Sequence, residues 1–207
     1  MTVTNLSEMT RSRVKVEIDG EFAFVLYKGE LRIYGVREGG ELAKESYETL
    51  MQEVLPKRAK LRALHLLKSR SYTCAQLAEK LIAGGYQTEH VKMAIDYAAS
   101  FGYVDDKQYV RDFIEYNKEK KSRQRIFTDL MHKGIPKKLI EEIWDETVDG
   151  DQEELEKEQI KGWIRKKKFA IEAASPGEIR KMTAFLYRKG FSFDSIRSVL
   201  SLDITSI

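Results

Sequence analysis

The chain has 207 residues, 42% hydrophobic and 33% charged, with three prolines, a make-up that favours exposed helices around a packed core over a turn-rich all-β fold. No stretch reaches the length of a membrane span, MTVTNLSEMTRSR holds no signal-peptide pattern, and the single cysteine, Cys74, excludes a disulfide framework, so a reducing, cytoplasmic setting is expected. The net charge of +3 is uneven: up to Pro56 there are 7 basic and 10 acidic residues, and after it 29 and 23, a mild basic excess that permits contact with nucleic acid or a nucleoprotein.

The first 56 residues predict a small β-meander packed on a helix. VKVEI (14–18) alternates apolar and charged residues, as a half-buried strand does. Asp19-Gly20 then supplies the two residues that a type I′ hairpin turn needs at positive φ. FAFVLY (22–27) is the return strand, Lys28-Gly29 a second turn, and LRIYGV (31–36) a third strand. Leu42, Tyr47, Leu50, Met51 and Val54 recur at helical spacing.

After Pro56 one pattern occurs three times, in LAEKLIAGGYQTEHVKMAI, IFTDLMHKGIPKKLIEEIW and MTAFLYRKGFSFDSIRSVL. Aligning Leu81, Leu130 and Leu186 places Gly85, Gly134 and Gly190 four residues on, with Tyr86, Ile135 and Phe191 immediately after. Val91, Ile140 and Ile196 also fall in register. Each glycine is read as a left-handed helix cap, which a residue with a Cβ resists. The apolar residue after it packs back on the helix it ends. Earlier helices at about 57–69, 105–120 and 151–168 complete three helices per unit. The chain is therefore read as mainly α, a tandem array of three three-helix repeats at 57–104, 105–148 and 149–207, preceded by the 1–56 module.

FGYVDDKQYV (101–110) holds two adjacent carboxylates, which could bind a metal or run acid–base chemistry. Helix-start logic accounts for both. Asp105 is placed as the N-cap, with Val104 available to staple onto Tyr109, and Asp106 falls in the first turn, where the helix dipole favours an anion. A nuclease reading of this pair needs a third ligand, and no supporting interval supplies one. His65, His90 and His132 form no metal-spaced pair, and no phosphate loop, nucleophile elbow or dinucleotide fingerprint occurs. The reading is no catalytic residue, no metal and no cofactor. DGDQEELEKE (149–158) reads as the start of an exposed helix, capped by Asp149 or Asp151.

Basic residues gather at the end of the first helix of each repeat or in the turn after it: Lys68 and Arg70, then KEKKSRQR (118–125), then RKKK (165–168). Helix C-termini favour cations, so each cluster alone is explained as a solvated helix end. Recurrence in three units points to a shared strip that could follow phosphates or an acidic surface. Its candidate members are Arg70, Lys118, Lys120, Lys121, Arg123, Arg125, Arg165, Lys166, Lys167 and Lys168.

Several of these motifs together resemble the RecX family of bacterial RecA regulators. Arg70-Ser71 precedes Gln76-Leu77-Ala78-Glu79-Lys80-Leu81, with glutamine where that family has glutamate. Gly102-Tyr103-Val104-Asp105-Asp106-Lys107-Gln108-Tyr109 matches another run, with Val110 where alanine is usual. Arg125-Ile126, Leu130 and Lys133-Gly134-Ile135 match a third, with Ser122 at a position usually glycine, and Tyr187-Arg188-Lys189-Gly190-Phe191 closes the series. The resemblance covers about residues 57–202. It implies three tandem three-helix repeats and a non-enzymatic protein that binds the RecA–DNA filament along its groove, restraining ATP hydrolysis, strand exchange and filament growth. A monomer with weak affinity for bare DNA is the expectation. The alternative is a helical array that binds DNA directly and affects recombination only indirectly.

Overall fold

Asp19 and Gly20 take φ of 52° and 88°, and the strands on either side pair antiparallel as the hairpin signal requires. The computed structural model describes residues 1–148, 150 and 152–200; the cap assigned to Asp149 or Asp151 lies outside them. The fold is mainly helical, with one small antiparallel sheet at the N-terminus and three-helix units after it. The chain divides into two units, Met1–Asp105 and Asp106–Ile207.

In the first unit the sheet order is β1-β2-β3, with β1 Val3–Thr10, β2 Arg13–Ile18 and β3 Glu21–Tyr27. Three strands were expected, but one is a different segment. β1 escapes the alternation test because its register against β2 shifts between Val3 and Asn5 and again between Glu8 and Thr10. Each irregularity breaks the two-residue period. LRIYGV is not a strand. Lys28–Ile33 forms a short helix, α1, whose start is fixed by Glu30: its carboxylate accepts from the Tyr27 N–H at 2.8 Å and meets the Arg58 guanidinium. Ile33 is 73% exposed.

Helix α2 (Lys44–Thr49) runs through a π turn at Leu50–Val54 into α3 (Leu55–Leu67), so helical backbone crosses Pro56 without a break. A π turn leaves its carbonyls poorly matched to the ladder. Here the Met51 carbonyl accepts from Nε2 of the buried His90 at 2.9 Å. Phe24, Leu26, Val16, Leu42 and Leu50 form the core of this N-terminal part, and Ala59, Leu77, Leu81, Val91 and Ala94 form a second one among α3, α4 (Cys74–Ala83) and α5 (Thr88–Ser100). Gln76, the departure from the family glutamate, keeps the capping box: its N–H donates to Thr73 Oγ1 and its amide oxygen accepts from the Thr73 N–H.

The sheet docks on α3 and on the turn between α4 and α5 through polar side chains and one close approach. The carbonyls of Ala23 and Val25, on the outer edge of β3, accept from the Gln87 amide and from Arg58. Side chains thus close an edge that could otherwise pair with another chain. Arg13 donates to the Gly84 carbonyl at 3.2 Å. A Cβ on Gly85 would lie 2.2 Å from Val25 Cγ2.

The second unit holds two three-helix groups. α6 (Asp106–Asn117), α7 (Arg123–Met131) and α8 (Lys137–Thr147) surround Val110, Ile114, Ile126, Leu130, Ile140, Ile143 and Trp144. α9 (Gln152–Lys166), α10 (Pro176–Arg188) and α11 (Phe193–Leu200) surround Ile160, Met182, Leu186, Phe191 and Ile196. The two groups are tied by Gln159, which donates to the Lys118 and Lys121 carbonyls, and by Ser122, whose hydroxyl donates to the Lys189 carbonyl at 2.7 Å. α10 opens on a capping box in which Ser175 holds the Glu178 carboxyl below its usual range by hydrogen bonds.

The three aligned glycines behave as predicted. Gly85, Gly134 and Gly190 have φ of 88°, 80° and 87°. The N–H of Tyr86, Ile135 and Phe191 returns to the carbonyl of Leu81, Leu130 and Leu186, at 3.2, 3.2 and 3.4 Å. This is the six-residue bond of the Schellman cap, with the apolar partner packed in the same core.

Candidate partner-binding surface

Half of the ten predicted basic residues already have work inside the fold. In the first unit, the Arg70 guanidinium sits 4.4 Å over the Tyr72 ring. In the second, Lys118 pairs with Glu115 at 2.9 Å. Lys121 and Arg125 converge on one carboxylate, Asp129, at 2.9 and 3.0 Å. Asp129 is largely shielded, so removing either cation would leave its charge partly unmatched at the α6–α7 corner. Arg123 lies over Phe127 and Trp144, covering the core of α7 and α8.

Of the rest, Lys120, Lys166 and Lys167 are held over rings while their charge stays in solvent. Lys120 Nζ is 3.6 Å above Tyr116, which is 72% exposed. Lys166 is 5.0 Å from the Trp163 ring and Lys167 4.8 Å from Phe185, and Lys189 approaches both of those rings. Trp163 and Phe185 meet edge to face at 5.6 Å. Such contacts orient an ammonium without neutralising it. Lys168 has φ of 50° and ends α9: its N–H returns to Arg165 and that of Phe169 to Ile164.

The fold brings two of the three clusters together. Lys120, from the turn after α6, and Arg165 and Lys166, from the end of α9, line one open cleft of about 370 Å³. Glu119 and Glu158 are also at its edge, but Glu158 is matched by Lys161 at 2.7 Å, a bond that holds its carboxyl below the usual range. A larger cleft of about 710 Å³ opens on the other side of α9 over Phe127 and Trp144, and there the rim is mixed, with Arg123 and Lys137 against Glu141, Glu156 and Asp194. The aromatic partners carry the information that basic runs miss. Tyr116 is four residues before Lys120, and Trp163 three before Lys166, both helix-neighbour spacings.

The Asp105-Asp106 pair lies where helix-start logic puts it. α6 begins at Asp106, with Asp105 the residue before it and Tyr109 packed on the core. Among the described residues no three His, Cys, Asp or Glu side chains cluster as a metal-binding group. No helix among them is long and apolar enough to cross a membrane.

Comparison with known proteins places this architecture. Residues 59–97 match the model of the first three-helix domain of RecX, and 154–200 that of the third. The regulatory protein RecX of Caldanaerobacter subterraneus subsp. tengcongensis is 32% identical over 98% of this chain and 100% of its own length. The chain belongs to the RecX family. The regulatory protein RecX of Trichlorobacter lovleyi is 31% identical over 70% of this chain and 94% of its own. A crystal structure of regulatory protein RecX superposes with a TM-score of 0.61 at 20% identity, over 98% of this chain and 99% of that one. RecX from Lactobacillus salivarius gives 0.59 at 19% over 72% and 96%. The family is one of regulatory proteins, and the match to the Caldanaerobacter relative covers the residues that form the N-terminal sheet here, which extends the likeness beyond the helical part.

Proposed function

We propose that this chain is a non-enzymatic regulator that binds a RecA–DNA filament and restrains its ATP hydrolysis, strand exchange and growth, acting as a cytoplasmic monomer. Family membership supports the regulatory role. The observation that carries the surface is the cleft at which Lys120, in the turn after α6, meets Arg165 and Lys166 of α9. Three cations near two helix ends, two of them held over rings, outnumber the two carboxylates at the cleft edge, Glu119 and Glu158, and suit a polyanionic filament. Binding by several such helical units needs no single tight contact, because each adds to the effective concentration of the next.

The test is the single-stranded-DNA-dependent ATPase of RecA, titrated with substoichiometric protein. Joint reversal to glutamate at Lys120, Arg165 and Lys166 should weaken inhibition by at least about tenfold, since each lost phosphate contact also lowers the salt dependence by roughly one unit of slope. The helical circular dichroism should be unchanged. Inhibition that survives the triple reversal removes this cleft from the interface. Lys121 and Arg125 are poor choices for the same test, because reversing either leaves Asp129 facing a like charge.

Direct DNA binding is the second reading, favoured by the same cations. It requires saturation of bare DNA at the concentrations that inhibit the ATPase, and a steep salt dependence.

A further inference from the structure

Gly162 stands in the interior of α9. A glycine there weakens a helix relative to alanine. Internal packing does not account for it: a Cβ at this position would meet nothing within 4 Å, and the backbone is ordinary helix. Gly85 and Gly190 are different, since each has positive φ and a close neighbour.

Gly162 instead forms part of the wall of the cleft between Lys120 and Lys166. Beside it are Leu155 and the half-buried Trp163, and Lys120 rises from the exposed Tyr116 ring. The cleft therefore offers an aromatic ring next to a notch with no side chain, under three cations near two helix ends. Flat π-faces beside phosphate-neutralising cations are the chemistry by which single-stranded nucleic acids are held without regard to sequence.

We propose that the Gly162 notch is a nucleotide subsite: an unpaired base of single-stranded nucleic acid stacks on Trp163 in place of the Lys166 ammonium now over that ring, and Lys120, Arg165 and the displaced Lys166 hold the flanking phosphates. This deepens the filament reading and rests on it only for the source of the strand. A stacked duplex base has both faces occupied, so the subsite discriminates single strands from duplex. It also explains why the helix tolerates a poor helix former where nothing else needs one.

The experiment uses the full chain and a short oligothymidylate at low salt, reading tryptophan fluorescence. Trp163 is half-buried and Trp144 is 1% exposed, so quenching by a stacked base reports Trp163. Oligothymidylate should quench the wild type, and Trp163→Phe should remove the quenchable part. Gly162→Leu should weaken binding on the order of tenfold, in the range of one lost base stack. The same variant should hold or raise the melting temperature, by about 2–4 °C, because leucine is the better helix former. Lost binding in a more stable protein has no unfolding explanation. Quenching unaffected by Gly162→Leu, or equal quenching by duplex of the same length, overturns the proposal. The RecA ATPase separates the two readings. Wild-type inhibition without quenching removes the notch and keeps the filament, and quenching without inhibition does the reverse.

Discussion

Gly85 and Gly190 occupy the same place in the same cap, yet each meets a different neighbour. Gly85 closes against Val25 of the sheet, a stiff β-branched side chain in an apolar contact. Gly190 closes against Ser122, whose hydroxyl sits 2.7 Å from where a Cβ would be, accepts from the Arg125 N–H as the cap of α7 and donates to the Lys189 carbonyl. Both caps end a helix, and both serve as the point where another part of the same unit touches down. A repeat with no side chain at its turn can thus be docked from outside, and the docking partner can be apolar or polar. The glycine carries two requirements, positive φ and absence of a Cβ, and substitution separates them.

The largest effect is expected at Gly85. Alanine there adds the left-handed cost of about 1–2 kcal/mol and an overpacking cost of about 1–3 kcal/mol against Val25. A total near 3 kcal/mol would lower the melting temperature on the order of 10 °C. Val25→Ala should recover part of that loss in the Gly85→Ala background while destabilising the wild type. A double-mutant cycle by thermal unfolding measures the coupling. Additive effects would mean that only the backbone angle matters and that the sheet does not rest on this cap.

Gly190→Ala should cost less, about 2 kcal/mol, from the same φ penalty plus disturbance of one hydrogen bond. Ser122 can rotate away from an added methyl more easily than Val25 can. The neighbour here is also replaceable: Ser122→Gly, the residue the family usually carries at this point, should cost only a few tenths of a kcal/mol as a helix cap, beyond the bond to Lys189. Combined with Gly190→Ala it should remove the steric part of the loss. Equal destabilisation by the two alanines would erase the distinction between an apolar and a polar touchdown.

The caps were legible in the sequence because they are local: a glycine, the apolar residue after it and the leucine five residues earlier decide them. Their touchdown partners were not, since Ser122 and Lys189 are 67 residues apart and Val25 belongs to a strand. The same divide runs through the sheet. Asp19-Gly20 announces its own hairpin, whereas α1 is decided by Glu30 meeting Arg58, 28 residues away, and β1 hides behind its bulges. At the surface, the positions of the basic runs were readable. Which cations are consumed was not, because Asp129 takes Lys121 and Arg125 by packing. Aromatic residues are sparse beside the lysines in the written chain. At helix spacing Tyr116 and Trp163 fall under Lys120 and Lys166, and that pattern was available.

Lys168 sharpens the comparison from the other side, because it ends α9 in the same left-handed conformation without being glycine. Lysine at φ of 50° carries a penalty that glycine does not, so Lys168→Gly should stabilise by about 0.5–1 kcal/mol after allowing for the greater freedom of glycine in the unfolded chain. The expected rise in melting temperature is about 2 °C, small but resolvable by calorimetry. Strain kept at one residue of a basic run suggests what it is kept for. If that is function, the charge at this turn belongs to the proposed binding surface, and Lys168→Gly should weaken ATPase inhibition while the protein becomes more stable. Lys168→Asn tests the same point with a residue that tolerates the conformation and lacks the charge. If both variants are more stable and inhibit as well as the wild type, the lysine at 168 serves the helix end alone, and the binding surface stops at Lys167.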